Sequence, residues 1–141
     1  MSSARWFGRI VGPSLCLTLG LVAGCAPGAG RQLDAEAAAK GELIFGRYCT
    51  SCHGSSGVGD GELAASLDDP VPDLTGLSRR YAGEFPWDVV VNSVAKGTPG
   101  HDTPDMPAWA EVFGKTEGTE ASSPEEAVAM VTHFVWSIQK P

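Results

Sequence analysis

Apolar residues near the C-terminus recur with the spacing of an α-helix. They are three or four positions apart, which places them on one helix face. The stripe consists of Val128, Val131, Val135 and Ile138, with Phe134 beside it. Ser123 followed by Pro124 is typical of a helix start, because Ser caps free amides and Pro fits the first turn. The pattern predicts a helix over Pro124–Gln139 with one buried face.

A second long helix is predicted over Ala35–Tyr48, a segment rich in helix-forming residues. Asp34 is placed to cap its first turn. Two shorter helices are expected, over Leu63–Leu67 and over Pro86–Val94, where Pro86 opens the segment. No stretch alternates between apolar and polar residues for long, so strands are not expected. The sequence therefore predicts an all-α protein.

The chain begins with the features of an export signal. Arg5 and Arg9 form a short basic start, and the mostly apolar run of residues 10–23 follows and ends before Cys25. The Ala-Gly-Cys end of this run looks like a bacterial lipobox, in which the Cys thiol receives a diacylglycerol before cleavage. We expect a signal peptide at 1–24, a lipidated tether at 25–33 and a globular domain at 34–141. This would leave the protein lipid-anchored on the periplasmic side of the membrane.

Two alternatives to a lipid anchor stay open, a soluble periplasmic product and an uncleaved membrane anchor. The run contains Gly12, Pro13 and Gly20, and it is shorter than the ~20 apolar residues that a membrane-spanning helix needs. Both features weigh against the uncleaved anchor.

Composition excludes several classes of protein. The chain has 141 residues, about one domain's worth, of which 43% are hydrophobic and 19% charged, unlike a disordered tail or a polytopic membrane protein. The formal charge of −7 argues against binding nucleic acid phosphates. The 18 Gly and 10 Pro favour a fold with long ordered loops.

The strongest chemical signal is the Cys-x-x-Cys-His sequence formed by Cys49, Cys52 and His53. This spacing is that of covalent haem attachment, in which two thiols bind the vinyl groups and the His binds the iron. Three other interpretations compete. A zinc site would need two more soft ligands, a thioredoxin-like redox pair would need a βαβ context, and a structural disulfide at this spacing is common only in redox enzymes.

With this motif in place, residues 35–140 resemble a class I cytochrome c. The resemblance implies three to five short helices wrapped around one covalent haem c. It also implies that an N-terminal helix crosses a C-terminal helix at a Gly, and Gly41 with Phe45 matches the first partner. Phe134, with its neighbours Val131 and Val135, matches the second partner.

Two loops of the same family are matched further along the chain. Pro72-Asp73-Leu74-Thr75-Gly76 resembles the family's P-x-L-x-G loop, which implies that the Pro72 carbonyl accepts a hydrogen bond from His53. The alternative is an ordinary surface turn. Met106-Pro107-Ala108-Trp109 resembles the M-P-x-W form of a bacterial subgroup, which implies Met106 as the sixth iron ligand.

His101, on the same loop, is the competitor of Met106 as the sixth ligand, whereas Met130 is expected in the core. Trp109 and Trp87 are expected to pack on or near the haem edge, where an indole N–H can donate a hydrogen bond to a haem propionate.

The expected function is single-electron transfer by a carrier rather than catalysis, since no nucleophile–base pair is evident. Redox partners would be a terminal oxidase or a periplasmic dehydrogenase, of which this chain could be the haem subunit. The rival interpretation is an open-site haem protein, either a peroxidase or a gas-binding sensor, and it requires Met106 to be off the iron.

Overall fold

The computed structural model describes residues 31–97, 106–116 and 120–141. Six α-helices are present there: α1 (Ala35–Tyr48), α2 (Thr50–His53), α3 (Leu77–Arg80), α4 (Trp87–Lys96), α5 (Trp109–Phe113) and α6 (Pro124–Ser137). Two short 3-10 turns cover Ala64–Ser66 and Leu74–Gly76. No strand occurs in these ranges, so the all-α prediction is confirmed. Six is one more than the expected three to five, and three of the six helices (α2, α3 and α5) are only single turns.

The two long helices begin where the sequence predicts. Oδ1 of Asp34 accepts the amides of Glu36 and Ala37 at 2.9 and 3.0 Å, which caps α1. The Ser123 hydroxyl accepts the Glu126 amide at 3.1 Å and caps α6. These caps satisfy backbone donors that no helical carbonyl can reach.

Helices α1 and α6 cross at a glycine, as the family resemblance implies. A side chain at Gly41 would overlap the backbone carbonyl of Met130, and its Cβ would stand 3.0 Å from the Val131 nitrogen. One turn further along α1, the rings of Phe45 and Phe134 lie 4.9 Å apart between centroids. Met130 is buried, as predicted. The absence of a side chain at Gly41 therefore lets the two backbones touch.

The remaining helices complete the core around this crossing. Val90 and Val94 of α4 and Phe113 of α5 join the buried cluster centred on α6. The Leu63–Leu67 segment forms only the 3-10 turn Ala64–Ser66, and Leu63 is 47% exposed. Because Leu63 does not pack into the core, it adds little that would stabilise a longer helix. None of the helices in the described ranges is long and apolar enough to cross a membrane.

Candidate functional site

The Cys-x-x-Cys-His motif lies where α1 ends and α2 begins. The Cys49 amide donates to the Phe45 carbonyl at 2.9 Å, which closes α1. The His53 amide donates to the Cys49 carbonyl at 2.9 Å, so the motif itself forms one helical turn. This turn brings Cys49, Cys52 and His53 onto the wall of one cavity.

The cavity has a volume of about 250 Å³ and mostly apolar walls. They come from the end of α1, the loop of residues 67–77, α4, the segment 106–109 and α6. The apolar lining consists chiefly of Phe45, Leu67, Leu74, Val90, Val94, Val131 and Val135. A cavity with apolar walls and a few polar groups at defined points is the usual form of a cofactor site.

Both cysteines are free thiols, and Cys49 is buried whereas Cys52 is half-buried. Burial, with a smaller contribution from Cys52, raises the pKa of Cys49 to about 12. A thiol with so high a pKa stays protonated near neutral pH, whereas a catalytic dithiol needs a lowered pKa. No group of three or more His, Cys, Asp or Glu that could hold a metal ion occurs in the described part of the chain. These observations weigh against a thioredoxin-like pair and against a zinc site.

His53 is held as a neutral imidazole against the cavity. Burial lowers its pKa, while the nearby Pro72 carbonyl acts in the opposite direction. The Nδ1 atom is buried, and no described residue meets it in hydrogen-bond geometry. A neutral ring is the form that binds a metal ion, and a ligating His usually donates its second nitrogen to a carbonyl or carboxylate. The residues therefore fit a haem whose iron binds His53, with Pro72 as the available carbonyl.

Met106 lines the same cavity, beside Pro107. It is partly buried and packs against the hydrophobic core. A Cβ at Gly97, just after α4, would overlap the Met106 carbonyl, so the end of α4 lies directly against this backbone. The structure thus brings Met106 and His53 to one site. His101, its predicted competitor, lies outside the described residues, as does Cys25.

The two tryptophans predicted near the haem have separate places. Trp109 lines the cavity, and its ring lies 5.7 Å from Tyr48 and 5.9 Å from Phe113 between centroids. Trp87 is not among the residues that line the cavity, and its place near the haem edge stays a prediction. Its ring packs 4.6 Å from His133, because a first-turn side chain leans beyond the start of α4 onto the aromatic face of α6.

Several lining residues were not anticipated from the sequence. Tyr48 directly precedes the motif and belongs to the cavity wall, and so do Val89, Val90 and Val94 of α4. The apolar spacing within α4 predicts a buried face. It does not say whether that face meets another helix or a cofactor.

Two comparisons with known proteins give a match. The model of a family described as cytochrome c oxidase, cbb3-type, subunit III matches residues 36–121. The chain is similar to the cbb3-type cytochrome c oxidase subunit FixP of Bradyrhizobium diazoefficiens. The two are 32% identical over 96 residues, which is 68% of this chain and 27% of the relative. The similarity thus covers only about a quarter of the relative's length.

Proposed function

The chain belongs to the family of cytochrome c oxidase, cbb3-type, subunit III, and we propose that four of its residues hold the haem: Cys49, Cys52, His53 and Met106. The chain is a c-type cytochrome that binds haem c covalently and carries electrons. The observation that carries the proposal is that all four residues line one apolar cavity.

Each of the four residues has one task. The thiols of Cys49 and Cys52 add across the two vinyl groups of the haem, and each addition forms a thioether bond. The imidazole of His53 and the thioether of Met106 would hold the haem iron. Once bound, the haem supplies an iron that gains and loses one electron. The soft sulfur of Met106 favours the reduced state and so raises the reduction potential.

Two further residues adjust the site. In the haem-bound protein the Pro72 carbonyl would accept a hydrogen bond from Nδ1 of His53, which would fix the ring and strengthen it as a ligand. Trp109 packs at the haem edge and offers its indole N–H to a propionate. The apolar wall excludes water from the iron.

Covalent attachment is tested by extraction. The denatured protein is treated with acidified butanone, and the parent should keep its haem colour on the polypeptide. The double variant Cys49→Ser with Cys52→Ser should lose all of its haem to the organic phase. Each single variant should keep haem attached through one thioether bond or accumulate little haem-loaded protein. Haem that leaves the parent with the solvent would contradict the assignment of the two thiols.

The chain is an electron carrier and performs no reaction of its own. With His53 and Met106 both on the iron, no coordination position is left for a substrate. Reduced parent protein should therefore bind carbon monoxide slowly or not at all. Rapid, complete binding would favour the open-site alternative of a peroxidase or gas sensor.

The protein is exported and held at the periplasmic side of the membrane through Cys25. Support comes from the Ala-Gly-Cys sequence at the end of the apolar run. One acyl chain holds a protein only marginally, whereas two or three hold it firmly. Cys25→Ser should move the protein from the membrane fraction to the soluble periplasm or leave the precursor unprocessed. Normal processing with unchanged fractionation would contradict lipidation.

The partner is a terminal oxidase of the cbb3 type. The name of the relative, a subunit of such an oxidase, supports this choice. The formal charge of −7 suits a basic docking face. Mixing the reduced protein with solubilised cbb3-type oxidase should oxidise the haem, at a rate that falls as salt rises. If only a periplasmic dehydrogenase exchanges electrons with it, the oxidase assignment is wrong.

A further inference from the structure

Gln139 lies just beyond the last turn of α6 and makes three hydrogen bonds with one side-chain amide. Its Nε2 donates to the carbonyls of Leu74 and Val135 at 2.8 and 2.7 Å. Its Oε1 accepts the Ser78 amide at 2.8 Å. A single side chain thus joins the end of α6 to the segment that follows Pro72.

Further hydrogen bonds hold the segment that Gln139 contacts. The Lys140 amide donates to the Thr75 carbonyl at 2.8 Å, next to the Gln139 contacts. Thr75 is buried, and both its amide and its hydroxyl donate to Oδ1 of Asp73, at 2.8 and 2.7 Å. These hydrogen bonds hold the backbone of residues 73–75 in place directly after Pro72.

The same segment is tied to the loop that leaves His53. The Leu74 amide donates to the Gly57 carbonyl at 2.8 Å, and the Gly59 amide donates to the His53 carbonyl at 2.9 Å. The Leu74 backbone is thus hydrogen-bonded through its amide to the loop after His53 and through its carbonyl to Gln139. Pro72 is two residues before Leu74 and lines the cavity with His53.

We propose that Gln139 is a positioning residue that holds the Pro72 carbonyl opposite Nδ1 of His53 and so sets the reduction potential. The inference rests on the proposed roles of His53 as iron ligand and Pro72 as acceptor. A strong bond from Nδ1 makes the imidazole a better electron donor, which favours oxidised iron. Loosening the Pro72 segment weakens that bond, and the potential rises.

The test follows the Nδ1 proton of His53 by NMR in the reduced, haem-loaded protein, together with the reduction potential. Gln139→Leu removes all three hydrogen bonds. Exchange of the Nδ1 proton with water should become about threefold to tenfold faster, the factor expected for one weakened hydrogen bond. The potential should rise in the same variant. Gln139→Glu keeps an acceptor for Ser78 but loses the donor to Leu74, so it should also speed exchange of the Nδ1 proton. The potential is compared only in Gln139→Leu, because the charge of a Glu side chain itself favours oxidised iron.

Ser137→Ala is the matched control. The Ser137 hydroxyl donates to the Phe134 carbonyl at 2.7 Å, also at the end of α6, but it has no bond to the Pro72 segment. Its loss should leave proton exchange and potential at parent values. If Ser137→Ala shifts both readouts as Gln139→Leu does, Gln139 acts only by supporting the helix end, and the inference is wrong.

Failure of the inference and failure of the proposed function give different results. A protected Nδ1 proton that neither Gln139 variant exposes would overturn the positioning role alone. An Nδ1 proton that already exchanges in the parent as fast as in free imidazole would overturn the Pro72 acceptor. If Gln139→Leu does not accumulate, proton exchange in Gln139→Glu tests the inference, because this variant preserves the Ser78 contact.

Discussion

The Cα atom of Gly41 faces the backbone carbonyl of Met130 so closely that no side chain fits between α1 and α6. This contact fixes the crossing that brings Phe45 against Phe134. Because α1 leads directly into the haem-binding turn, the crossing also fixes the position of Cys49 and of the residues that follow it.

Gly41→Ala should lower the free energy of unfolding, since forcing a methyl group into a packed contact costs about 1–3 kcal/mol. Gly46→Ala, on the same helix, is the control. A Cβ there meets nothing within 4 Å, so the better helix propensity of Ala should stabilise the protein by roughly 0.5–1 kcal/mol. Denaturant unfolding of the two variants measures the difference. Equal effects would mean that Gly41 is not at a tight crossing.

Gly97→Ala should disturb Met106. Gly97 has φ of +73°, and an added Cβ would also overlap the Met106 carbonyl. The backbone of Met106 would have to move, which should weaken its bond to the iron and let carbon monoxide bind the reduced protein faster. Gly83→Ala separates the strain of a positive φ from the overlap with Met106, because Gly83 has φ of +92° but open space around it. That variant should lose stability while keeping the slow carbon monoxide binding of the parent.

Stability should depend on pH through His133. Burial lowers the pKa of this residue, with the Asp34 charge opposing the shift and the Arg31 charge adding to it. Neutral Nδ1 of His133 accepts the Asp34 amide at 3.2 Å, and protonation removes this acceptor. The unfolded chain therefore binds a proton more readily. The free energy of unfolding should fall as pH drops through 6.5 towards the lowered pKa, by no more than about 1 kcal/mol for one hydrogen bond.

His133→Gln offers an acceptor that does not titrate in this range. Its unfolding free energy should vary less than that of the parent between about pH 5 and 7. Parallel pH profiles of the two proteins would exclude His133 as the source of the dependence. Asp34, Asp73 and Glu126, whose pKa values hydrogen bonds lower, contribute only in more acidic solution.

The sequence predicted the parts of the fold that depend on local signals. The caps at Asp34 and Ser123 and the two long helices follow from residue type and spacing. The crossing at Gly41 followed from the family resemblance, since helical spacing alone cannot identify the residue it meets.

Contacts between distant segments were harder to predict. Trp87 is predicted near the haem edge from its sequence context, and nothing in that context indicates that its ring also packs against His133 and Trp136 of α6. Its place depends on where α4 crosses α6, which no local pattern encodes. Gln139 gave no signal at all, because a polar residue at a helix end is ordinary until Leu74 and Ser78 are brought to it from more than sixty positions away.

The central claim is that His53 and Met106 together bind the iron, and the far-red absorption spectrum of the oxidised protein tests it most directly. A haem iron with a thioether ligand shows a weak sulfur-to-iron charge-transfer band in this region. The band should be present in the parent, absent in Met106→Ala and unchanged in His101→Ala. The reduction potential of Met106→Ala should fall, because Fe(II) loses its soft ligand. A parent spectrum without the band, or a band that survives Met106→Ala, would contradict the account.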